Sequence, residues 1–158
     1  MKVVYPGSFD PVTNGHLDMI KRSASAFDEV VVGVLVNYSK NSLFTMDERI
    51  EMLEELSYDY SNVKVKKFSG LLVDFVIEEK ADAVVRGLRA VSDYEAELQM
   101  AHINKNLADN KLETLFMVSS PEYSFLSSSV VKEIASLGGD VSKLVPKCVN
   151  KKIRNKLK

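Results

Sequence analysis

Residues 29–36 read EVVVGVLV: five valines and a leucine around one glycine, with a single charge at the edge. A β-branched run without polar alternation fits a strand covered on both faces, the environment found inside a parallel sheet. Its neighbours carry matching signals. Upstream, Val3 to Tyr5 reads as a short strand broken at Pro6-Gly7, after which Leu17, Ile20, Ala24 and Phe27 recur at helical spacing. Downstream, TMDE at Thr45 to Glu48 is a capping box for a helix carrying Ile50, Leu53 and Leu56. Val63 to Phe68 reads as a strand, Leu71 to Glu79 as a helix, and Ala83 to Arg86 as a strand ending at Gly87. SDYE at Ser92 to Glu95 is a second capping box, and its helix is expected to bury Ala96, Met100, Ile103 and Leu107. Leu115 to Val118 is the fifth strand, and Ser127 to Ser129 cap a helix bearing Val130, Ile134 and Leu137. A Lys-rich helical segment from about residue 140 closes the chain.

This alternation predicts an α/β fold: a doubly wound, parallel five-stranded sheet with helices on both faces. No repeat, linker or low-complexity stretch interrupts it, so residues 1–158 are expected to form a single domain. Lys+Arg 21 against Asp+Glu 22 leaves a net charge of -1, which argues against a broad nucleic-acid-binding surface but not against a local anion site. Cys148 is the only cysteine, so neither an internal disulfide nor a cysteine metal cluster is available, and it is given no chemistry. MKVVYPG turns too early for a signal peptide and no apolar run reaches membrane-spanning length, which makes the cytoplasm the expected location.

In doubly wound sheets ligands bind beyond the carboxyl ends of the strands, near helix N-termini. Three loops stand there. The first, PGSFDPVTNGH, has Gly7 and Gly15 where a ligand could approach the backbone, and His16 in the first turn of a helix whose amides favour an anion. A capping or partly buried structural histidine is the other reading of that position. The second, RGLRAVSDYE, places Arg86 and Arg89 around Gly87 and Leu88, and arginine suits phosphate by its paired donors. Salt bridges to the acidic helix would be the plainer use of both. The third, YSFLSSSVVKEI, has more serines than an N-cap needs. Lys40 adds a cation on the same side, and the set implies a substrate with several phosphates. Neither GxxxxGK[ST] nor GxGxxG occurs, so the cradle is of another kind.

YPGSFDPVTNGHLD, VVRGLRAVSDYEAELQMAHIN and YSFLSSSVVKEIA together closely resemble the bacterial phosphopantetheine adenylyltransferases of coenzyme A biosynthesis, over almost the whole chain. TNGH resembles that family's form of the HxGH signature of a wider nucleotidyltransferase superfamily, with Thr13 in place of the first histidine. The resemblance implies a Rossmann-like fold and magnesium-dependent transfer of AMP from ATP to 4'-phosphopantetheine, giving 3'-dephospho-coenzyme A and pyrophosphate. It implies that Ser8 and His16 contact the reacting phosphate and that Lys40 and Arg86 hold the acceptor phosphate, these four forming the catalytic set. Leu72 is expected along the pantetheine arm. Phe9, Gly87, Leu88, Arg89, Glu97, Tyr123, Ser124, Phe125, Leu126, Ser127, Ser128 and Ser129 are expected around ATP. A homohexamer and feedback by coenzyme A are implied as well, and His102 is expected at a surface or interface. No carboxylate cluster with metal-ligand spacing appears, so magnesium would be held mainly by the nucleotide phosphates. The alternatives are another small nucleotidyltransferase of this superfamily, or a nucleotide-binding regulatory module without turnover. A class I aminoacyl-tRNA synthetase core is excluded by the short chain and the lack of a KMSKS-like loop.

Overall fold

The computed structural model describes residues 1–36 and 42–157. Among these, five parallel strands form one sheet in the order β3-β2-β1-β4-β5. They are β1 (Lys2–Gly7), β2 (Glu29–Leu35), β3 (Val63–Phe68), β4 (Ala83–Leu88) and β5 (Glu113–Val118). The helices are α1 (Asn14–Ala26), α2 (Met46–Ser57), α3 (Leu72–Glu78), α4 (Val91–Leu107), α5 (Ser128–Ser136) and α6 (Lys147–Lys156).

The valine run does what its composition predicts. Val30, Val32 and Val34 enter the larger core with Met19 and Ile20 of α1, Met52 and Leu53 of α2, Val131 of α5, and Val149 and Ile153 of α6. Val31 enters the smaller core on the opposite face with Val73, Phe75 and Val76 of α3. Gly33 is there for space: a Cβ at this position would stand 2.8 Å from the Phe75 ring and 3.2 Å from that of Phe68. Those two rings stack at 4.5 Å over the strand.

From β1 the chain winds outward to β3, then crosses back to β4 on the other side of β1. The switch point therefore lies beyond Gly7 and Leu88, where the sheet opens a crevice. Only Val3 and Val4 of β1 are in register with β4, at Ala83 and Val84, so the two strands part toward their carboxyl ends. This parting explains why β1 does not stop at Pro6-Gly7 as expected but stays paired with β2 through both residues. The Pro6 carbonyl faces β4 and accepts from Arg86 Nη1 at 3.0 Å. The missing Pro6 N–H lies on that same side, where no ladder partner is required.

The α4 expectation is corrected. Ala90, not Ser92, is its N-cap, and no side chain caps it. Met100 and Leu107 are 51% and 54% exposed, and Ala96 and Ile103 also face outward, while Asn104 is buried. The helix is turned so that Glu97 meets Arg86 at the crevice and Asn104 faces inward, while the apolar stripe faces outward. In α5 Val131 is buried while Val130, and Leu137 just past the helix, face outward. In α1 the buried line runs through Met19, Ile20 and Ser23, with Leu17 and Ala24 half-buried.

Candidate active site

The turn Thr13 to His16 is a closed capping box. The Thr13 hydroxyl accepts from the His16 backbone N–H at 3.3 Å, and His16 Nδ1 accepts from the Thr13 backbone N–H at 3.0 Å. An Nδ1 that accepts carries no proton, so the neutral ring holds its proton on Nε2. Burial, and then the charges of Arg89 and Arg86, pull the imidazole down to a pKa of about 4. His16 is therefore a neutral, oriented N–H donor near neutral pH. The Phe9 ring meets it edge-on at 5.0 Å. The turn is tied from outside: Asn14 N–H and Nδ2 donate to the carbonyls of Leu144 and Lys143 at 2.9 and 3.0 Å.

Between β1 and this box the chain makes a tight loop. Phe9 takes φ +49, a left-handed conformation uncommon outside glycine, and its side chain is buried. A Cβ on Gly7 would stand 3.0 Å from the Phe9 ring, so this glycine is needed for the approach. Asp10, 6% exposed, accepts from the backbone N–H groups of Leu43 and Phe44 at 2.9 and 2.8 Å.

The second loop brings cations. Arg86 grips Glu97 of α4 with two parallel hydrogen bonds, Nε to Oε2 at 2.7 Å and Nη2 to Oε1. Burial, the largest single influence, works against the guanidinium charge, but the Glu97 bonds and charge outweigh it and raise the pKa. Arg89 pairs with Asp93 at 2.9 Å and donates from Nη1 to the Leu126 carbonyl at 2.8 Å. That contact stitches the second loop to the third. There Ser127 caps α5 through Val130 N–H, while Ser128 Oγ donates to the Pro11 carbonyl at 2.8 Å.

These loops enclose two adjoining cavities. One, of about 270 Å³, is lined by Ser8, Phe9, Gly15, His16, Arg86, Gly87, Arg89, Glu97, Tyr123, Leu126, Ser127 and Ser128. The other, of about 400 Å³ and more apolar, is lined by Leu35, Phe68, Leu71, Leu72, Met100 and Asn104. Pro6, Gly7, Ser8, Arg86 and Glu97 border both. Of the expected site residues, Leu88, Ser124, Phe125 and Ser129 do not line the first cavity. Phe125 is 91% exposed, and Ser124 donates to the Pro121 carbonyl. Lys40 lies outside the described residues. Residues that the sequence did not single out also line it, among them Tyr5, Met19 and Ser119. In sequence Tyr5 reads as the end of a short strand and Met19 lies off the apolar stripe of its helix, and both line the crevice. Among the described residues no cluster of three or more His, Cys, Asp or Glu could hold a cation.

Known proteins resemble this chain in sequence and in fold. Residues 4–134 match the cytidylyltransferase-like family. The chain is 56% identical to the phosphopantetheine adenylyltransferase of Thermodesulfovibrio yellowstonii, over 98% of this chain and 96% of that one. It is 57% identical to that of Heliobacterium modesticaldum, over 92% of this chain and 86% of the relative. The fold also matches a solved structure assigned as a nicotinate-nucleotide adenylyltransferase from Vibrio parahaemolyticus, with TM-score 0.71, 16% identity and 98% of both chains covered. At that identity the likeness shows the fold alone.

Proposed function

This chain belongs to the cytidylyltransferase-like family and, within it, to the phosphopantetheine adenylyltransferases, and we propose that it transfers the adenylyl group of ATP to 4'-phosphopantetheine. The products are 3'-dephospho-coenzyme A and pyrophosphate, which makes it an enzyme of coenzyme A biosynthesis. The observation that carries this reading is the meeting of the two cavities at Ser8, Arg86 and Glu97. A polar cavity for a nucleotide and an apolar one for an extended arm share one border, and two phosphates would face each other there.

An oxygen of the acceptor phosphate attacks the α-phosphorus of ATP. The bond from that phosphorus to the bridging oxygen breaks, and its electron pair leaves with pyrophosphate. The attacking oxygen is ionised near neutral pH, so no strong base and no covalent enzyme intermediate are needed. Catalysis then rests on alignment and on donors aimed at the crowded phosphorus. His16 Nε2–H and Ser8 serve the α-phosphate. Arg86, with Lys40, holds the acceptor phosphate, and Leu72 lies along the arm. To do so Arg86 must share or exchange its grip on Glu97. The loops holding Phe9, Gly87 to Arg89 and Tyr123 to Ser129 surround ATP.

Magnesium would supply charge neutralisation on the phosphates and would be held mainly through the nucleotide; among the described residues no group of three or more His, Cys, Asp or Glu could hold it. The whole chain acts as one nucleotidyltransferase domain in the cytoplasm; no described helix is long and apolar enough to cross a membrane. Its assembly is a homohexamer, a reading supported by the outward apolar residues Tyr94, Met100, Ile103 and Leu107 along α4. Coenzyme A, sharing the product's body, would occupy both cavities as a feedback inhibitor.

Pyrophosphate release with ATP and 4'-phosphopantetheine tests the assignment, with CTP as donor and nicotinate mononucleotide as acceptor in parallel. Release confined to the first pair supports it. Release with another pair, or binding without turnover, would overturn it.

A further inference from the structure

Arg49, in the first turns of α2, lines neither cavity, yet its surroundings tie it to the reaction. It is 5% exposed. Its Nη1 donates to the Ser8 carbonyl at 2.8 Å, and its Nε to the Thr45 carbonyl at 3.3 Å. Thr45 is the N-cap of α2, so one guanidinium joins that helix start to the loop after β1. Arginine's planar fork makes such a link geometrically definite, since its donors cannot move independently.

Its electrostatics are unusual. Among the described residues two other charged side chains are buried, and both have lysine partners: Asp10 pairs with Lys132, and Glu79 with Lys66 and Lys2. Among the described residues Arg49 has two carbonyls and no carboxylate. A buried charge without a counter-charge is costly, and it is retained where something else stabilises it. The Ser8 it holds borders both cavities, where the substrate phosphates would sit.

We infer that Arg49 is a positioning residue for adenylyl transfer: it fixes Ser8 against the reacting phosphate and supplies, from behind the loop, positive charge that the bound polyphosphate completes. The inference rests on the functional reading above. Asp10 acts in parallel, since its bonds to Leu43 and Phe44 hold the same loop to the same helix start. Of these two ties between the loop and the start of α2, the one made by Arg49 carries positive charge.

The test uses the protein with Arg49→Met, which keeps much of the apolar stem and removes the fork and charge, and Arg49→Lys, which keeps the charge alone. Steady-state kinetics and melts with and without ATP are measured on each preparation. For Arg49→Met, kcat per folded molecule should fall roughly 10- to 100-fold, the scale of a small misplacement near reacting atoms. The rise in Tm produced by ATP should also shrink. Arg49→Lys should recover that ATP-dependent rise while kcat stays low. A purely structural arginine would lower the ligand-free Tm but leave kcat of the folded fraction and the ATP-dependent rise at wild-type values; that result overturns the inference. If Arg49→Met does not fold, a folded Arg49→Lys with wild-type kcat overturns it equally. Wild-type turnover, run alongside, separates this from the parent reading: its absence would remove the adenylyltransferase assignment itself.

Discussion

The two helix starts that face each other across the crevice are built on opposite principles. At α1 the cap is local: Thr13 and His16 satisfy one another within a single turn, and the imidazole is held by its own backbone. At α4 no side chain caps the helix, and the functional groups are charges held by other charges, Arg86 by Glu97 and Arg89 by Asp93. A local cap is closed whether or not substrate is present. An ion pair at the crevice is open to competition, because a phosphate offers the guanidinium the same paired acceptors as a carboxylate. One side of the site is thus preorganised, and the other is exchangeable.

The strongest way to break that contrast is His16→Ala. Losing one preorganised donor should lower kcat by about 10²–10³, with little change in ATP affinity. The fold should survive, since the ring sits at the cleft edge. Kinetics and a thermal melt on one preparation decide it: a stable protein with near-normal kcat would leave the cap as architecture only.

On the exchangeable side the effect is smaller and of another kind. Arg86→Ala should raise KM for 4'-phosphopantetheine by removing a charge-assisted contact of about 1.5–3 kcal/mol, while ATP binding changes much less. Isothermal titration with each ligand separately would show it. Collapse of ATP affinity with intact acceptor binding would reverse the division of the two cavities.

Thr13→Ala sharpens the comparison by opening the cap and leaving the histidine. Loss of the N-cap hydroxyl costs about 1 kcal/mol, or roughly 2–4 °C in Tm at this chain length. A reduction in kcat should accompany it, as the imidazole loses a fixed partner. An unchanged kcat would show that the Thr13 N–H to Nδ1 bond alone orients the ring.

The mildest test is titration. His16 is held at about 4, below its ordinary 6.5, so folding favours its neutral form. The unfolded chain binds the proton first on acidification, and this residue's share of stability is present above about 6.5 and lost as pH falls toward 4. The kcat profile should therefore show no acid limb from His16 near pH 6.5. An NMR midpoint for His16 near 6.5 would mean a ring open to solvent and would weaken the preorganised reading.

Sequence periodicity located the strands and most helices well because those signals repeat within a few residues. It fails at α4, where it points to the apolar stripe Ala96, Met100, Ile103 and Leu107 as the buried face. Periodicity shows that a helix has two faces; it does not say which one the rest of the fold will cover. The same limit hid Tyr5 and Met19, whose second face exists only because β1 and β4 part.

What the sequence determined by itself is what short range can fix: the alternation around EVVVGVLV, the TMDE cap, the TNGH turn, and the three motifs whose order carries the family resemblance. Tertiary structure decided what depends on strand order. Ser8 and Arg49 are 41 residues apart, and Pro6 and Arg86 are 80 apart, yet each pair is hydrogen-bonded. The second exists because the crossover sets β4 beside β1 and leaves their ends splayed, the first because the start of α2 lies against the loop after β1. Backbone preferences act between neighbours, whereas the cost of burying a charge is met by whatever partner the fold brings within reach.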